Sequence, residues 1–211
     1  MKNIKTKYTL LRIIFLILFV VLFLVKKIQL WLLVYGIGIL LSFFYGRIYC
    51  GYVCPMNSSM HVVDKLAKKL KLQRKSIPPI LKNPILAYGM LALSLIAMFV
   101  GKKIFQVQIP ILPILFCLSL IVTLFFPPSV WHKTLCPYSI LLNFGARFSK
   151  RGTTVDATKC TRTQKCLKAC PAGAITMEGM NKTALIDKKY CLQCEVCTLV
   201  CPQNAISYAK N

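Results

Sequence analysis

The chain is poor in carboxylates and nearly devoid of histidine: Asp64, Asp156, Glu178, Asp187 and Glu195 are its only acidic residues, and His61 and His132 its only imidazoles, among 211 residues. Neither histidine falls inside a long apolar run, so the paired axial ligands of a transmembrane b-type haem are missing. The carboxylates also lie outside those runs, which removes an intramembrane proton relay and, with it, proton pumping by this chain alone. No P-loop, no dinucleotide-binding glycine fingerprint and no flavin attachment segment occurs, so neither ATP hydrolysis nor hydride transfer is encoded.

What is present is apolar and basic. The chain is 56% hydrophobic with a mean hydropathy of +0.62 and a formal net charge of +23. These properties coexist when the apolar residues lie in lipid and the charges stay in loops. Residues 9–25, 28–44, 84–100 and 104–126 each approach the ~20 apolar residues that cross ~30 Å of hydrocarbon. The first run, preceded by Lys2, Lys5 and Lys7, is near a signal peptide's length, but no small-residue cleavage site follows it, so it is kept as a span. Lys26, Lys27, Lys102 and Lys103 mark one side of the membrane. The other side holds the N-terminal lysines, eight basic residues from Arg47 to Lys82, and those of the tail. The positive-inside rule puts both termini and the middle loop in the cytoplasm of a cell with an inner membrane. Pro110 and Pro113 are expected to bend the outer part of the fourth span, and Cys117 reads as a small packing residue.

The basic residues follow juxtamembrane segments rather than a nucleic-acid-binding fold, so no nucleic-acid partner is expected. In residues 59–72, Val62, Val63, Leu66 and Leu70 recur at helical spacing opposite Lys65, Lys68, Lys69 and Lys71. That is the pattern of a helix lying on an anionic bilayer, and residues 138–148 form a shorter candidate.

Seven of the eleven cysteines stand in the last quarter. Cys160, Cys166, Cys170 and Pro171 recur as Cys191, Cys197, Cys201 and Pro202, each 31 positions on (160 to 191). Ala174, Ile175 and Thr176 recur as Ala205, Ile206 and Ser207, so the duplication extends beyond the cysteines. The second block, from Cys191 to Pro202, has the C-x2-C-x2-C-x3-C-P spacing of a bacterial ferredoxin. In that arrangement three thiolates surround one iron-sulfur cube and the fourth reaches its neighbour. By that rule Cys191, Cys194, Cys197 and Cys170 hold one 4Fe-4S cluster, and Cys160, Cys166 and Cys201 fall to a second. The position matching Cys194 is Thr163, whose neutral hydroxyl is a far poorer iron ligand than a soft thiolate. The second site is therefore a 3Fe-4S cluster, a 4Fe-4S cluster with one atypically ligated iron, or empty. Occupancy is the expectation, because three idle thiolates at cluster spacing are oxidation liabilities. Structural zinc would want two separated C-x-x-C pairs without a trailing Cys-Pro, and disulfides would need an oxidising compartment. Lys159, Arg162, Lys165 and Lys168 crowd the first block, and their charge should raise that cluster's potential.

A fainter repeat follows the second and fourth apolar runs. Tyr49, Cys50, Cys54 and Pro55 align with Trp131, His132, Cys136 and Pro137, giving C-x3-C-P and H-x3-C-P. Thiolate and imidazole both ligate iron, so Cys50, Cys54, Cys136 and His132 are candidate ligands of a third metal centre or cluster. Structural cysteines at the mouth of a helical bundle are the alternative.

The run GRIYCGYVCP, a second Cys-Pro after the fourth apolar run, and a dicluster tail resemble the NapH-type membrane polyferredoxins and their relatives in nitrous-oxide respiration and cytochrome oxidase assembly. The resemblance covers nearly the whole chain, from about Leu10 to Ser207. It implies four core transmembrane helices, two cytoplasmic clusters, and electron exchange between a quinol or cytoplasmic donor and a membrane or periplasmic redox partner. His132 and Thr163 depart from the family pattern, and the family serves several pathways. The expected architecture is a membrane all-α bundle of four transmembrane helices over residues 1–150, joined to a small α+β bacterial-type dicluster ferredoxin domain over residues 151–211. The expected role is one-electron transfer as a subunit rather than as a stand-alone enzyme. The rivals are an assembly or maturation factor for another metalloenzyme and a redox-sensing membrane anchor.

Overall fold

The computed structural model describes residues 2–74, 76–104, 106, 109–177 and 183–210, with the side chains of 2–7 and 210 left aside. Glu178, the Phe105, Val107 and Gln108 part of the fourth apolar run, and the side chains of Lys2, Lys5 and Lys7 lie outside what is described. By contact the chain divides into two units, Met1–Ser58 with Leu141–Asn211, and Ser59–Ile140.

In the first unit, helix α1 (Lys2–Leu24) is followed by a 3-10 turn, Ile28–Leu30, and helix α2 (Trp31–Tyr45). Their apolar surfaces meet where Phe19 packs edge-on against Trp31, with ring centroids 5.2 Å apart. Gly46 ends α2 with φ +72°, a left-handed conformation that costs glycine little. The chain then doubles back so that the Tyr49 hydroxyl accepts a hydrogen bond from Trp31 Nε1 at 2.8 Å. Only a glycine at position 38 lets it through, since a Cβ there would lie 2.7 Å from the Tyr49 ring. A π-helical turn, Tyr49–Val53, leads to Cys54 and into helix α3 (Pro55–Lys69).

The tail of this unit is a duplicated β-α-β arrangement. Strand β1 (Arg151–Val155), α8 (Lys165–Ala169) and β2 (Ile175–Met177) form the first repeat; β3 (Ala184–Ile186), α9 (Val196–Val200) and β4 (Ile206–Lys210) form the second. The strands pair crosswise and antiparallel, β1 with β4 from Arg151↔Lys210 to Val155↔Ile206, and β2 with β3 from Ile175↔Ile186 to Met177↔Ala184. Matched residues adopt matched left-handed backbones: Arg162 and Gln193 at φ 59° and 54°, Gln164 and Glu195 at 59° and 55°, Gly173 and Asn204 at 59° and 48°. Each non-glycine residue held there costs about 1–2 kcal/mol, so the tight winding of these loops is opposed by local preference. The core beneath them is small and rich in sulfur: Cys166, Ile175, Ala184, Cys197 and Ile206, flanked by Cys160, Cys170 and Cys201. A core of that size needs an inorganic staple to stand alone.

The second unit holds most of α3, a 3-10 turn (Pro79–Lys82), α4 (Ile85–Lys103), α5 (Ile111–Phe125), the short α6 (Pro128–Val130), and a second π-helical turn, Trp131–Leu135. Gln73 fastens its loop by donating to the Thr123 carbonyl at 3.2 Å and to Asp64 Oδ1 at 2.8 Å. Helix α7 (Ser139–Arg147) follows, and within the first unit Phe144 and Phe148 pack on Phe43.

Among the described residues two helices are long and apolar enough to cross a membrane, Ile28–Tyr45 and Ile85–Lys103; the stretches Tyr8–Leu24 and Ile111–Phe125 are apolar but shorter. Three expectations change here. Pro110 is the N-cap of α5 and Pro113 sits in its first turn, so the prolines begin that helix rather than bend it. Lys102 and Lys103 close the last turn of α4, where cations offset the helix dipole, instead of lying in a loop. Cys117 is exposed on α5, not packed. The apolar row Val62, Leu66, Leu70 on α3 and beyond its end is exposed, while Met60 and Ala67 are buried.

Candidate iron-sulfur centres

Proline decides how each of four cysteine segments ends. Cys54, Cys136, Cys170 and Cys201 all precede proline, and all adopt extended backbones with ψ of 118°, 111°, 111° and 115°. The proline ring disfavours helical geometry in the residue before it, so each cysteine terminates a helical turn at a fixed orientation.

In the tail, the repeats exchange sulfur. Cys170 of the first repeat lines one pocket with Cys191, Cys194 and Cys197 of the second, together with Thr153, Pro171 and Leu192. Burial pushes the Cys191, Cys194 and Cys197 thiols above the ordinary range, Cys194 up to about 12, and Cys170 adds to the effect in all three. Burial also raises Cys166, with Cys160 and Cys201 as its interacting neighbours. Backbone amides point at the crossing sulfurs: Ala174 N–H lies 3.3 Å from Cys170 Sγ, and Ala205 N–H 3.4 Å from Cys201 Sγ. Such donors stabilise a thiolate's charge when it ligates metal. Four soft sulfurs round one pocket, with an amide aimed at the crossing one, fit an iron-sulfur group. The other sulfur set has Cys160, Cys166 and Cys201, and Thr163 lies on the exposed loop between the first two.

The loop of the second cysteine block is seated on the segment that follows α2. Gln193, 2% exposed, lies against Gly46, and its Oε1 accepts from Thr153 N–H at 3.0 Å and Thr153 Oγ1 at 2.6 Å. The Leu192 carbonyl lies so near Gly51 that a Cβ there would be 2.5 Å from it. Arg12 of α1 joins the two, donating from Nε to the Gly51 carbonyl at 2.9 Å and from Nη2 to the Cys194 carbonyl at 3.4 Å. Its guanidinium also stacks 5.5 Å over the Tyr52 ring.

The C-x3-C-P and H-x3-C-P motifs share one local geometry, each within its own unit. Cys54 N–H donates to the Tyr49 carbonyl at 2.8 Å, and Cys136 N–H to the Trp131 carbonyl at 2.9 Å, the i to i−5 bonds of a π-turn. Such turns insert one extra residue and are frequent at functional sites. Cys50 is buried on the first turn and His132 on the second. Among the described residues no three His, Cys, Asp or Glu side chains gather closely enough to hold a single metal ion.

Arg47 departs from its sequence reading. Counted there among the loop charges, it is 0% exposed, with Nη2 3.4 Å from Cys50 Sγ and with Nε and Nη1 lacking acceptors among the described residues. A buried guanidinium is costly unless an anion faces it. The weak sequence signal was its place between Gly46 and the C-x3-C-P run.

Comparison with known families agrees with this chemistry. Residues 28–73 and 108–155 match a family described as a 4Fe-4S binding domain, one copy over the C-x3-C-P motif and one over the H-x3-C-P motif, and residues 159–205 match a 4Fe-4S dicluster domain. The chain thus carries matches to two kinds of 4Fe-4S binding domain, the content that a ferredoxin-like iron-sulfur protein requires. Two proteins of Methanocaldococcus jannaschii, both named only as uncharacterized, are similar to it. One is 29% identical over 82% of this chain and 68% of its own length; the other is 24% identical over 81% and 75%.

Proposed function

We propose that this protein is a membrane-bound electron-transfer protein that passes single electrons between a quinol or cytoplasmic donor and a respiratory or maturation partner. The observation that carries this reading is the crossed gathering of sulfur from two repeats, one of whose loops is seated on the C-x3-C-P segment. In it Cys170, Cys191, Cys194 and Cys197 hold one 4Fe-4S cluster, and Cys160, Cys166 and Cys201 hold the second, with Thr163 at the fourth position. Bound there, such clusters supply a reversible one-electron change with little rearrangement. The residues bury the sulfurs, direct amides at them, and fix the second loop to α1 and to the turn after α2 through Arg12, Gly51 and Gln193.

All four apolar helices cross the inner membrane in this reading, the two shorter ones with thinning of lipid or help from flanking residues. Both termini and the tail face the cytoplasm, and the exposed row on α3 lies along the bilayer surface. Cys50 and Cys54 on one π-turn, and His132 and Cys136 on the other, are ligand candidates for further iron, and the buried Arg47 cation beside Cys50 supports an anionic occupant on the first turn. The architecture is that of NapH-type polyferredoxins.

Iron and acid-labile sulfide are measured in anaerobically purified protein, with electron paramagnetic resonance in the oxidised and reduced states. Two distinguishable clusters per chain are expected, reducible in vesicles by a quinol analogue or by a soluble low-potential carrier. Colourless protein without sulfide refutes the reading.

A further inference from the structure

The two repeats of the tail are near copies in backbone but differ in charge around their cysteine blocks. Lys159, Arg162, Lys165 and Lys168 of the first correspond to Tyr190, Gln193, Val196 and Leu199 of the second. Each of these four basic positions around the first cysteine block is uncharged in the second. The loop without basic residues is the covered one: Leu192 and Gln193 are buried, and Arg12, Gly46 and Gly51 lie against it. Residues 161–165, by contrast, are all exposed, as are Lys159 and Lys168. Asp156 is the acidic residue of this face, and it reaches Lys159 at 3.3 Å, leaving the other cations without a carboxylate among the described residues.

We infer that this basic face of the first repeat, formed by Lys159, Arg162, Lys165 and Lys168, is the docking surface for a soluble, acidic one-electron carrier protein. The inference rests on the electron-transfer reading above. A twofold-like domain with one cysteine loop already covered offers the matching loop for a transient partner. Charge without an apolar core suits encounters that must form and release quickly, because complementary charge raises the association rate more than it lengthens the complex. Lipid is the other acidic surface available, but it is met elsewhere on this chain by apolar rows beside lysines, as at Val62, Leu66 and Leu70. On the basic face Leu167 is the one large apolar side chain exposed among the described residues, at 37%. The exposed Thr163 loop leaves the sulfur set of Cys160, Cys166 and Cys201 with thin cover on this side. The encounter exchanges one electron: the reduced partner loses it, the oxidised partner gains it, and no bond is made or broken.

Full-length protein in phosphatidylcholine nanodiscs is titrated with an acidic plant-type 2Fe-2S ferredoxin as probe, using surface plasmon resonance at low and high salt. A Lys165→Glu, Lys168→Glu double variant and an Arg162→Glu variant are compared at equal iron and sulfide content. Binding is expected to weaken about tenfold or more in the double variant at low salt, with the difference shrinking as salt rises. Reduction by a zwitterionic viologen should remain complete in every variant. Equal ferredoxin binding by wild type and variants overturns the inference. So does protection of Lys165 and Lys168 from amine acylation by phosphatidylglycerol nanodiscs alone, which assigns the face to lipid. Failure of the viologen to reduce any iron in the wild type removes the electron-transfer reading, and the inference with it.

Discussion

Replacing Gly51 with alanine should loosen the seat of the second ligand loop without touching a cysteine. The added methyl would lie 2.5 Å from the Leu192 carbonyl oxygen and 3.4 Å from the backbone of Cys194. A carbon-oxygen contact settles at about 3.3–3.6 Å, so the backbone must give by most of an ångström. Neither side yields easily. The Gly51 carbonyl is held by Arg12 Nε at 2.9 Å and Asn57 Nδ2 at 3.4 Å, and Leu192 is buried. Overpacking of this kind costs about 1–3 kcal/mol. Confined to the seated loop, that cost makes its opening roughly 5- to 150-fold more frequent. Hydrogen exchange followed by mass spectrometry reads the opening directly at residues 191–195. Gly36→Ala is the control, since a Cβ there meets nothing within 4 Å. Unchanged exchange in Gly51→Ala, or equal loosening in Gly36→Ala, refutes the reasoning.

Gln193→Leu strands a buried amide and hydroxyl of Thr153, each at a cost of about 1–3 kcal/mol, so thermal stability should fall; adding Thr153→Val removes the stranded hydroxyl and should restore part of it. No recovery in the double variant would show that the hydroxyl is not what is missed. Thr163→Cys supplies the absent thiolate, and the paramagnetic signal of the first repeat should move from the oxidised state expected of a three-iron cluster to the reduced state of a four-iron one. An identical spectrum counts against Thr163 as the open position. Lys165→Gln with Lys168→Gln should lower the midpoint potential of that centre at low ionic strength, with the shift fading as salt is added. Redox titration at low salt showing no drop would mean the exposed charges are already screened.

The two cysteine blocks were legible because their spacing is explicit: the offset from Cys160 to Cys191 exposes the duplication whatever the intervening residues do. The crosswise pairing of β1 with β4 was not, because two of the four strands are three residues long and pairing between distant segments leaves no local period. The π-turns escaped for a related reason: one inserted residue changes no composition, and the Cys-Pro that ends each turn reads as an ordinary helix stop. Arg47 was misread because the positive-inside rule counts charges without asking which are covered. The four apolar runs were visible as runs, but the proline at 110 trimmed the last to a helix starting at Ile111, a reminder that hydropathy measures composition and not hydrogen bonding.

The crosswise strands make the two halves of the tail clasp one another like linked fingers. Since β1 finds its edge on β4 and β2 on β3, neither half owns a complete sheet, and a fragment ending before Ile206 would strand Arg151–Val155 as well. Stripping iron with a chelator should therefore run as a single all-or-none event, with no half-loaded species accumulating on the way.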